Sequence, residues 1–382
     1  MLSKNIINVG LTSYDQKLFE NQYPTNNGMA YNSYLIIDEK IALLDTIEIG
    51  STQKWLENIN KSLNGKTIDY LIISHMEPDH SASIQILIEK FPNIQIVASA
   101  RAFTLLKQFY GIDNIRNKRE VVDGDSLSLG EHNLTFYTAP MVHWPEVIVS
   151  YEDNEKVLFS ADAFGKFGDN KTTDNWADEA RRYYFNIVGK YGAQVQSLFN
   201  KIDGLQINTI CSLHGPILDK DISKCMKLYN TWSKYEAENE GVLIAYASIY
   251  GNTEKVALEV ANKLQTKSID TTIIDLTSND VSIAVSEAFR NSKLIVACPT
   301  YDGGLYPAMA KFLDHLTIKG YQNRKVGFIE NGSWAPQSAR KMRAFFENMK
   351  NITLCENIVS LRSAKNKSNE SQIIALVTEI ME

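Results

Sequence analysis

No two cysteines in this chain stand in a C-x-x-C pair. The four present, Cys211, Cys225, Cys298 and Cys355, are scattered. The chain therefore carries neither a rubredoxin-like cysteine-ligated iron site nor a zinc ribbon. Thiols used this way are expected to be buried and reduced, as in a cytoplasm. The start "MLSKNIINVG" lacks an apolar signal region, and no later stretch is long enough to span a bilayer, so no membrane attachment and a cytoplasmic location are expected. Positive charge is not in excess: the formal net charge is -6. That argues against nucleic acid as a partner, since electrostatic binding needs a basic surface. Internal repeats and low-complexity blocks are missing. So is G-x-G-x-x-G, which argues against a dinucleotide fold.

What is present is ordinary globular composition, 44% hydrophobic and 22% charged, over 382 residues. That length exceeds the usual span of one core and predicts two domains. In the first half, short apolar runs end in polar turns: "NSYLIIDEKIALLDT", "IDYLIISH", "IQIVASA", "HNLTFYTAP", "EVIVSYEDNEKVLFSAD" and "INTICSLHG". Helical patterns such as "STQKWLENINKSL" and "SIQILIEKF" lie between them. Strands in series with interspersed helices predict a layered α/β sandwich. Several runs end directly on Asp45, His75, Asp162 or His214, and loops at one sheet edge are where sites are commonly built. After a charged linker at roughly residues 234–240, a cleaner strand–helix alternation begins at "GVLIAYAS". Five strands alternating with helices predict a parallel doubly wound sheet. The expected domains are 1–239 and 240–382.

The stretch "ISHMEPDHSAS" packs His75, Glu77, Asp79 and His80 into six residues. Following a strand, they are expected on a loop. His143 in "APMVHWPE", Asp162 in "VLFSADAFG" and His214 in "ICSLHGP" follow further apolar runs. Together these are four imidazoles and three carboxylates. A single zinc takes about four ligands and rarely so many carboxylates. Seven ligands suit two metals sharing one carboxylate, and imidazole plus carboxylate without thiolate fits non-haem iron or manganese. Two imidazoles and a carboxylate per metal, with an open position, would bind a small oxidant. Of the remaining histidines, His132 is expected to be exposed and His315 to sit in a helix as packing or surface.

In the second half, "YASIYGNTEKV" is a turn between strand and helix. Ser248, Asn252 and Thr253 offer hydroxyls and an amide, Gly251 permits close approach, and the first helical amides favour an anion. The loops "CPTYDGGLYP" and "ENGSWAPQS" fall at the carboxyl ends of the central strands, where such sheets bind ligands. Tyr301 and Trp334 offer flat surfaces there, and Gly303, Gly304 and Gly332 offer backbone amides.

The metal residues, in this order, resemble the H-x-H-x-D-H signature of the metallo-β-lactamase superfamily. Here Glu77 replaces the middle histidine, which is the pattern of the flavodiiron proteins. "GMAYNSYLI", "HWPE", "SADAFG", "LHGPI" and the second half agree over essentially the full length. The resemblance implies a metallo-β-lactamase-like αββα sandwich followed by a flavodoxin-like domain. It implies one iron on His75, Glu77 and His143, another on Asp79, His80 and His214, and Asp162 between them. It implies FMN held by Ser248, Ile249, Gly251, Asn252 and Thr253, by Pro299, Thr300, Tyr301, Asp302, Gly303 and Gly304, and by Asn331, Gly332, Ser333 and Trp334. Tyr191 is a candidate second-shell donor, and Tyr23 a weaker one. The implied activity is reduction of dioxygen to water, of nitric oxide to nitrous oxide, or of both. A rubredoxin or similar protein would supply electrons to a head-to-tail homodimer, with a dimer of dimers left open. The rival readings are a dizinc hydrolase fused to a flavodoxin-like domain and a pure electron carrier with a structural metal.

Overall fold

A computed structural model describes residues 2–171 and 176–382. By internal contact the chain parts into two compact units, Met1–Asn230 and Thr231–Glu382.

In the first unit two sheets face each other. One has six strands in the order Ile6–Asn8, Tyr34–Ile37, Ile41–Leu44, Tyr70–Ile72, Gln95–Ala98 and Lys118–Glu120. The other has five, in the order Ser126–Ser128, Asn133–Thr138, Ile148–Glu152, Val157–Phe159 and Thr209–Cys211. The period of two in the sequence decides which side chain enters which layer. Tyr34, Ile36, Ala42, Leu44, Ile72 and Val97 point between the sheets, onto Leu134, Phe136, Ile148 and Phe159. Their alternates Leu35, Leu43, Leu71 and Ile96 pack on Trp55, Ile59 and Leu63 of the helix Thr52–Leu63. Each such fully buried aliphatic or aromatic side chain contributes about 1.5–3 kcal/mol. Strands Ile41–Leu44, Tyr70–Ile72 and Gln95–Ala98 are parallel, as are Val157–Phe159 and Thr209–Cys211. Parallel strands end on the same edge, so Asp45, His75, Asp162 and His214, which follow four of them, are delivered to one rim of their sheets.

Two expectations are corrected. The stretch after Tyr70–Ile72 is not all loop: Pro78–Ser81 form one helical turn with Pro78 at its start, where proline's fixed φ suits a helix. His132 is buried rather than exposed, its Nδ1 lying 3.0 Å from Oε1 of the fully buried Glu152. That carboxylate also accepts the amides of Asn154 and Glu155, so the burial of its charge is compensated.

The second unit is a five-stranded parallel sheet in the order Thr271–Asp275, Asn239–Tyr246, Asn291–Tyr301, Arg324–Asn331 and Ile352–Leu361. This is the doubly wound arrangement, with its switch point between Asn239–Tyr246 and Asn291–Tyr301. Val242, Ile244, Ile295 and Ile329 pack on Val256 and Val260 of the helix Asn252–Gln265 and on Leu376 and Ile380 of Lys367–Met381. Among the described residues no helix is long and apolar enough to cross a membrane.

Candidate metal centre and flavin pocket

The seven residues singled out in the first unit converge. His75, Glu77, His143 and Asp162 form one group of ligand atoms within 4.8 Å of one another, and Asp79, His80 and His214 form a second. Within the first, Glu77 Oε2 lies 3.2 Å from His75 Nε2 and 3.1 Å from His143 Nε2. Within the second, His80 Nε2 and His214 Nε2 are 3.0 Å apart. Asp162 reaches both: Oδ2 is 3.1 Å from His143 Nε2, and Oδ1 is 3.3 Å from His80 Nε2.

The outer faces of two imidazoles decide how they present themselves. His75 Nδ1 is 2.7 Å from Oε1 of Glu146, which also accepts the Met76 amide. A carboxylate only accepts, so Nδ1 carries the hydrogen and the Nε2 lone pair faces the group. His214 Nδ1 donates to the Ala30 carbonyl at 2.8 Å, with the same result. Asp45 holds the loop from behind, its Oδ1 accepting the amides of Ser74 at 2.7 Å and His75 at 3.2 Å.

The cluster lacks something on its inner side. Among the described residues, nothing hydrogen-bonds to either oxygen of Asp79 or of the buried Asp162, which is costly unless a cation satisfies them. The charges strain the same way. Burial opposes a proton on His75, yet the Asp162, Glu146 and Glu77 carboxylates outweigh it and lift its pKa well above the ordinary value. Burial likewise opposes a proton on His143, whose pKa the adjacent Asp162 and Glu77 carboxylates raise to about 9. Burial would raise Asp162, but His75, His143 and His80 hold it well below the carboxylate range. The donor set fits two metal ions.

Aromatic rings close around it. Phe19, from the hairpin Leu18–Phe19 and Tyr23–Pro24, lies edge-on to His214 at 5.2 Å. Trp144 meets His75 at 5.2 Å and stacks on Phe109. The ring beside His214 at 5.5 Å is that of Tyr183. Its buried hydroxyl has no hydrogen-bond partner among the described residues, and burial, then the carboxylates of Asp162, Glu77 and Asp79, push its pKa well above the ordinary value. Tyr191 instead opens the helix Gly192–Lys201, half-buried, with the Lys190 ammonium 5.3 Å from its ring centre. Tyr23 donates to the Asn186 carbonyl at 3.1 Å. The Glu20 carboxyl, at the hairpin's turn, is pushed up to about 7 by burial and by Glu77.

In the second unit a cavity of about 610 Å³ opens at the carboxyl ends of the strands. Ser248, Ile249, Asn252, Thr253, Pro299, Thr300, Tyr301, Asp302, Gly303, Asn331, Gly332, Ser333 and Trp334 all line it. Gly251 sits at the start of the helix Asn252–Gln265 with φ 81° and closes the phosphate-sized turn. Gly304 pairs with Tyr301 in the strand continuation behind the rim. Gly332 has no room for a side chain: a Cβ would lie 2.6 Å from Pro336 Cα. Hydroxyls here are committed as acceptors on their protein side. Ser248 Oγ takes the Gly251 amide at 3.1 Å, and Thr300 Oγ1 takes the amides of Gln337 and Ser338 at 2.8 and 3.1 Å. Among the described residues no acceptor takes their own hydrogens. Trp334 is 87% exposed at the rim, a flat face on which a planar ring can stack.

Residues 29–215 match the profile described as ODP family beta lactamase, and residues 244–355 match that of flavodoxin. A nitric oxide reductase of Moorella thermoacetica is 30% identical over 329 residues, which cover 84% of this chain and 82% of that protein. The chain belongs to the flavodiiron proteins. The rubredoxin oxygen:oxidoreductase of Desulfovibrio gigas has a similar structure, with a TM-score of 0.92 at 25% identity over 100% of this chain and 97% of that one. The flavodiiron protein of Giardia intestinalis shares the fold, with a TM-score of 0.92 at 22% identity over 100% and 95%. The expected architecture, a metallo-β-lactamase-like αββα sandwich followed by a flavodoxin-like sheet, therefore holds for this flavodiiron chain. Sequence reasoning passed over Glu146, Tyr183 and Glu20. Glu146 stood in the quoted "HWPE", but its partner His75 is 71 residues away.

Proposed function

We infer that this chain is a flavodiiron reductase of dioxygen, nitric oxide or both. When bound, FMN would supply electrons in ones or twos, and a diiron centre would supply redox-active metal for reduction of a small gas. His75, Glu77 and His143 would hold one iron, Asp79, His80 and His214 the other, with Asp162 shared between them. The observation that carries this is Asp162, whose two oxygens, free of hydrogen bonds, face one group each. Glu77 adds a hard anionic donor where the zinc signature has an imidazole, which favours iron. Glu146 and the Ala30 carbonyl hold the tautomers of His75 and His214. Phe19 and Trp144 exclude water, and Tyr183 keeps its hydroxyl proton available to donate to a small molecule at the cluster. In the other part Ser248, Thr253 and the amides at the start of Asn252–Gln265 would take the flavin phosphate, and Tyr301 and Trp334 would flank the ring.

We assign residues 1–239 to the metal part and 240–382 to the flavin part; the strand Asn239–Tyr246 of the second sheet begins at that boundary's last metal-part residue, and the compact units part earlier, between Asn230 and Thr231. A rubredoxin-like donor is supported by the Desulfovibrio gigas likeness. A cytoplasmic location is supported by four free, buried cysteines. The family resemblance supports a head-to-tail homodimer in which each chain's FMN serves its partner's irons. The test of function is anaerobic reduction of the purified protein followed by separate exposure to each gas. Rapid reoxidation by at least one is expected. Bound zinc with hydrolytic turnover and no gas consumption would overturn the assignment.

A further inference from the structure

The loop that follows the strand Ile352–Leu361 reaches the flavin pocket at Ser363, which neither the motif nor the resemblance assigns a role. Ser363 holds φ at 67° and presents its backbone to the carboxamide of Asn331. The Ser363 amide donates to Asn331 Oδ1 at 3.0 Å, and Asn331 Nδ2 donates to the Ser363 carbonyl at 2.9 Å. An amide N–H can only donate and a carbonyl can only accept. This two-point clamp therefore fixes which end of the Asn331 side chain is nitrogen. The second hydrogen of Nδ2 then points to Thr253 Oγ1, 3.4 Å away. Thr253 and Asn331 are both buried. Thr253 is the second residue of the helix Asn252–Gln265, and among the described residues no acceptor takes its hydroxyl hydrogen. Once its oxygen is occupied by Asn331, that hydrogen is left to the pocket.

We propose that Asn331, clamped by the Ser363 backbone, is a positioning residue that orients the Thr253 hydroxyl as a donor to the flavin phosphate, and so sets the preference for FMN over riboflavin. The proposal rests on the reading that the turn Ser248–Thr253 binds that phosphate. A hydroxyl free to rotate must be ordered when the anion arrives; one already receiving a hydrogen bond is ordered beforehand, and a charge-assisted bond gains accordingly. Riboflavin has the same ring and ribityl chain but no phosphate. A residue that merely held the loop together would serve both flavins equally.

The full-length protein is deflavinated and titrated with FMN and with riboflavin, as wild type, Asn331→Leu, Thr253→Ala and the double variant. Leucine has the same branched heavy-atom skeleton as asparagine and adds no charge, though its methyl groups are bulkier than the amide's oxygen and nitrogen. Asn331→Leu is expected to lower the FMN-over-riboflavin preference about tenfold. In the Thr253→Ala background it is expected to change that preference less than about twofold, because residues acting through one another are not additive. Thr253→Ser, which keeps the hydroxyl, should retain most of the preference. Equal weakening of both flavins by Asn331→Leu, or full additivity with Thr253→Ala, overturns the proposal. A wild type that prefers FMN strongly, with Thr253→Ala unaltered, would place the phosphate elsewhere and overturn the underlying reading instead. Should Asn331→Leu fail to fold, Asn331→Ala enters the same cycle.

Discussion

Glu77 lies 3.2 Å from one imidazole nitrogen and 3.1 Å from another, where the superfamily signature has a histidine. Replacing it, Glu77→His, exchanges a hard anion for a borderline neutral donor. Purified protein should hold less iron and relatively more zinc, and gas reduction should be lost; metal analysis with turnover checks this, and unaltered iron with unaltered rate would remove Glu77 as the selector. Glu146 acts one bond further out. Glu146→Gln substitutes a group that can donate as well as accept, so the tautomer of His75 is no longer dictated. Iron affinity should fall about tenfold to a hundredfold, as measured by chelator competition. Metal-group residues were legible in the sequence because the first four are packed into "HMEPDH" and the others each end an apolar run. Glu146 and Tyr183 were not, because their significance is a contact across the fold: Glu146 meets His75 from the turn before the strand Ile148–Glu152, and Tyr183 meets His214 from the helix Trp176–Tyr183. His132 misled for the same reason, its partner Glu152 lying on the neighbouring strand.

At the scale of elements, the second sheet was readable in full order of appearance, since each strand alternates with an amphipathic helix. The first was readable only as strands in series. Its members are as short as three residues, and pairing order between short strands is set by contacts that no local pattern records. The helical turn Pro78–Ser81 hid behind a proline that reads as a loop signal. Loops tied to helices yield a prediction of their own. Thr300 lies at the end of the strand Asn291–Tyr301 yet accepts the amides of Gln337 and Ser338, capping the helix Ser338–Phe346 from another element. Thr300→Val keeps the shape and removes the acceptor. Stability should drop by about 1 kcal/mol, and FMN should bind more weakly because the Trp334 loop loses its anchor. Urea unfolding and flavin titration measure the two separately; a variant unaltered in both would mean the cap is idle.

For the whole molecule, the candidate metal group and the cavity proposed for the flavin lie in separate compact units, and the proposed twofold dimer pairs each unit with its counterpart's. One variant dead at the metals (Asp162→Asn with His80→Asn) and another dead at the flavin (Gly251→Asp with Thr253→Ala) should each be inactive as homodimers. Gly251→Asp puts a side chain at φ 81° and an anion where a phosphate is expected. Co-expressed, the two should recover activity in the mixed dimer, in which one chain contributes sound FMN and the other sound irons. Mixing finished homodimers controls for electron transfer by collision. A purified mixed dimer with normal iron and flavin content, yet no activity above that control, would show that transfer does not run between chains.

Trp334 has an optical consequence. An indole standing in water emits at longer wavelength than the fully buried Trp55 and Trp232, and a flavin laid against it quenches that emission by energy transfer. The red edge of the protein's own fluorescence is thus a built-in gauge of how many chains in a preparation carry their flavin, readable without a label and without turning the enzyme over.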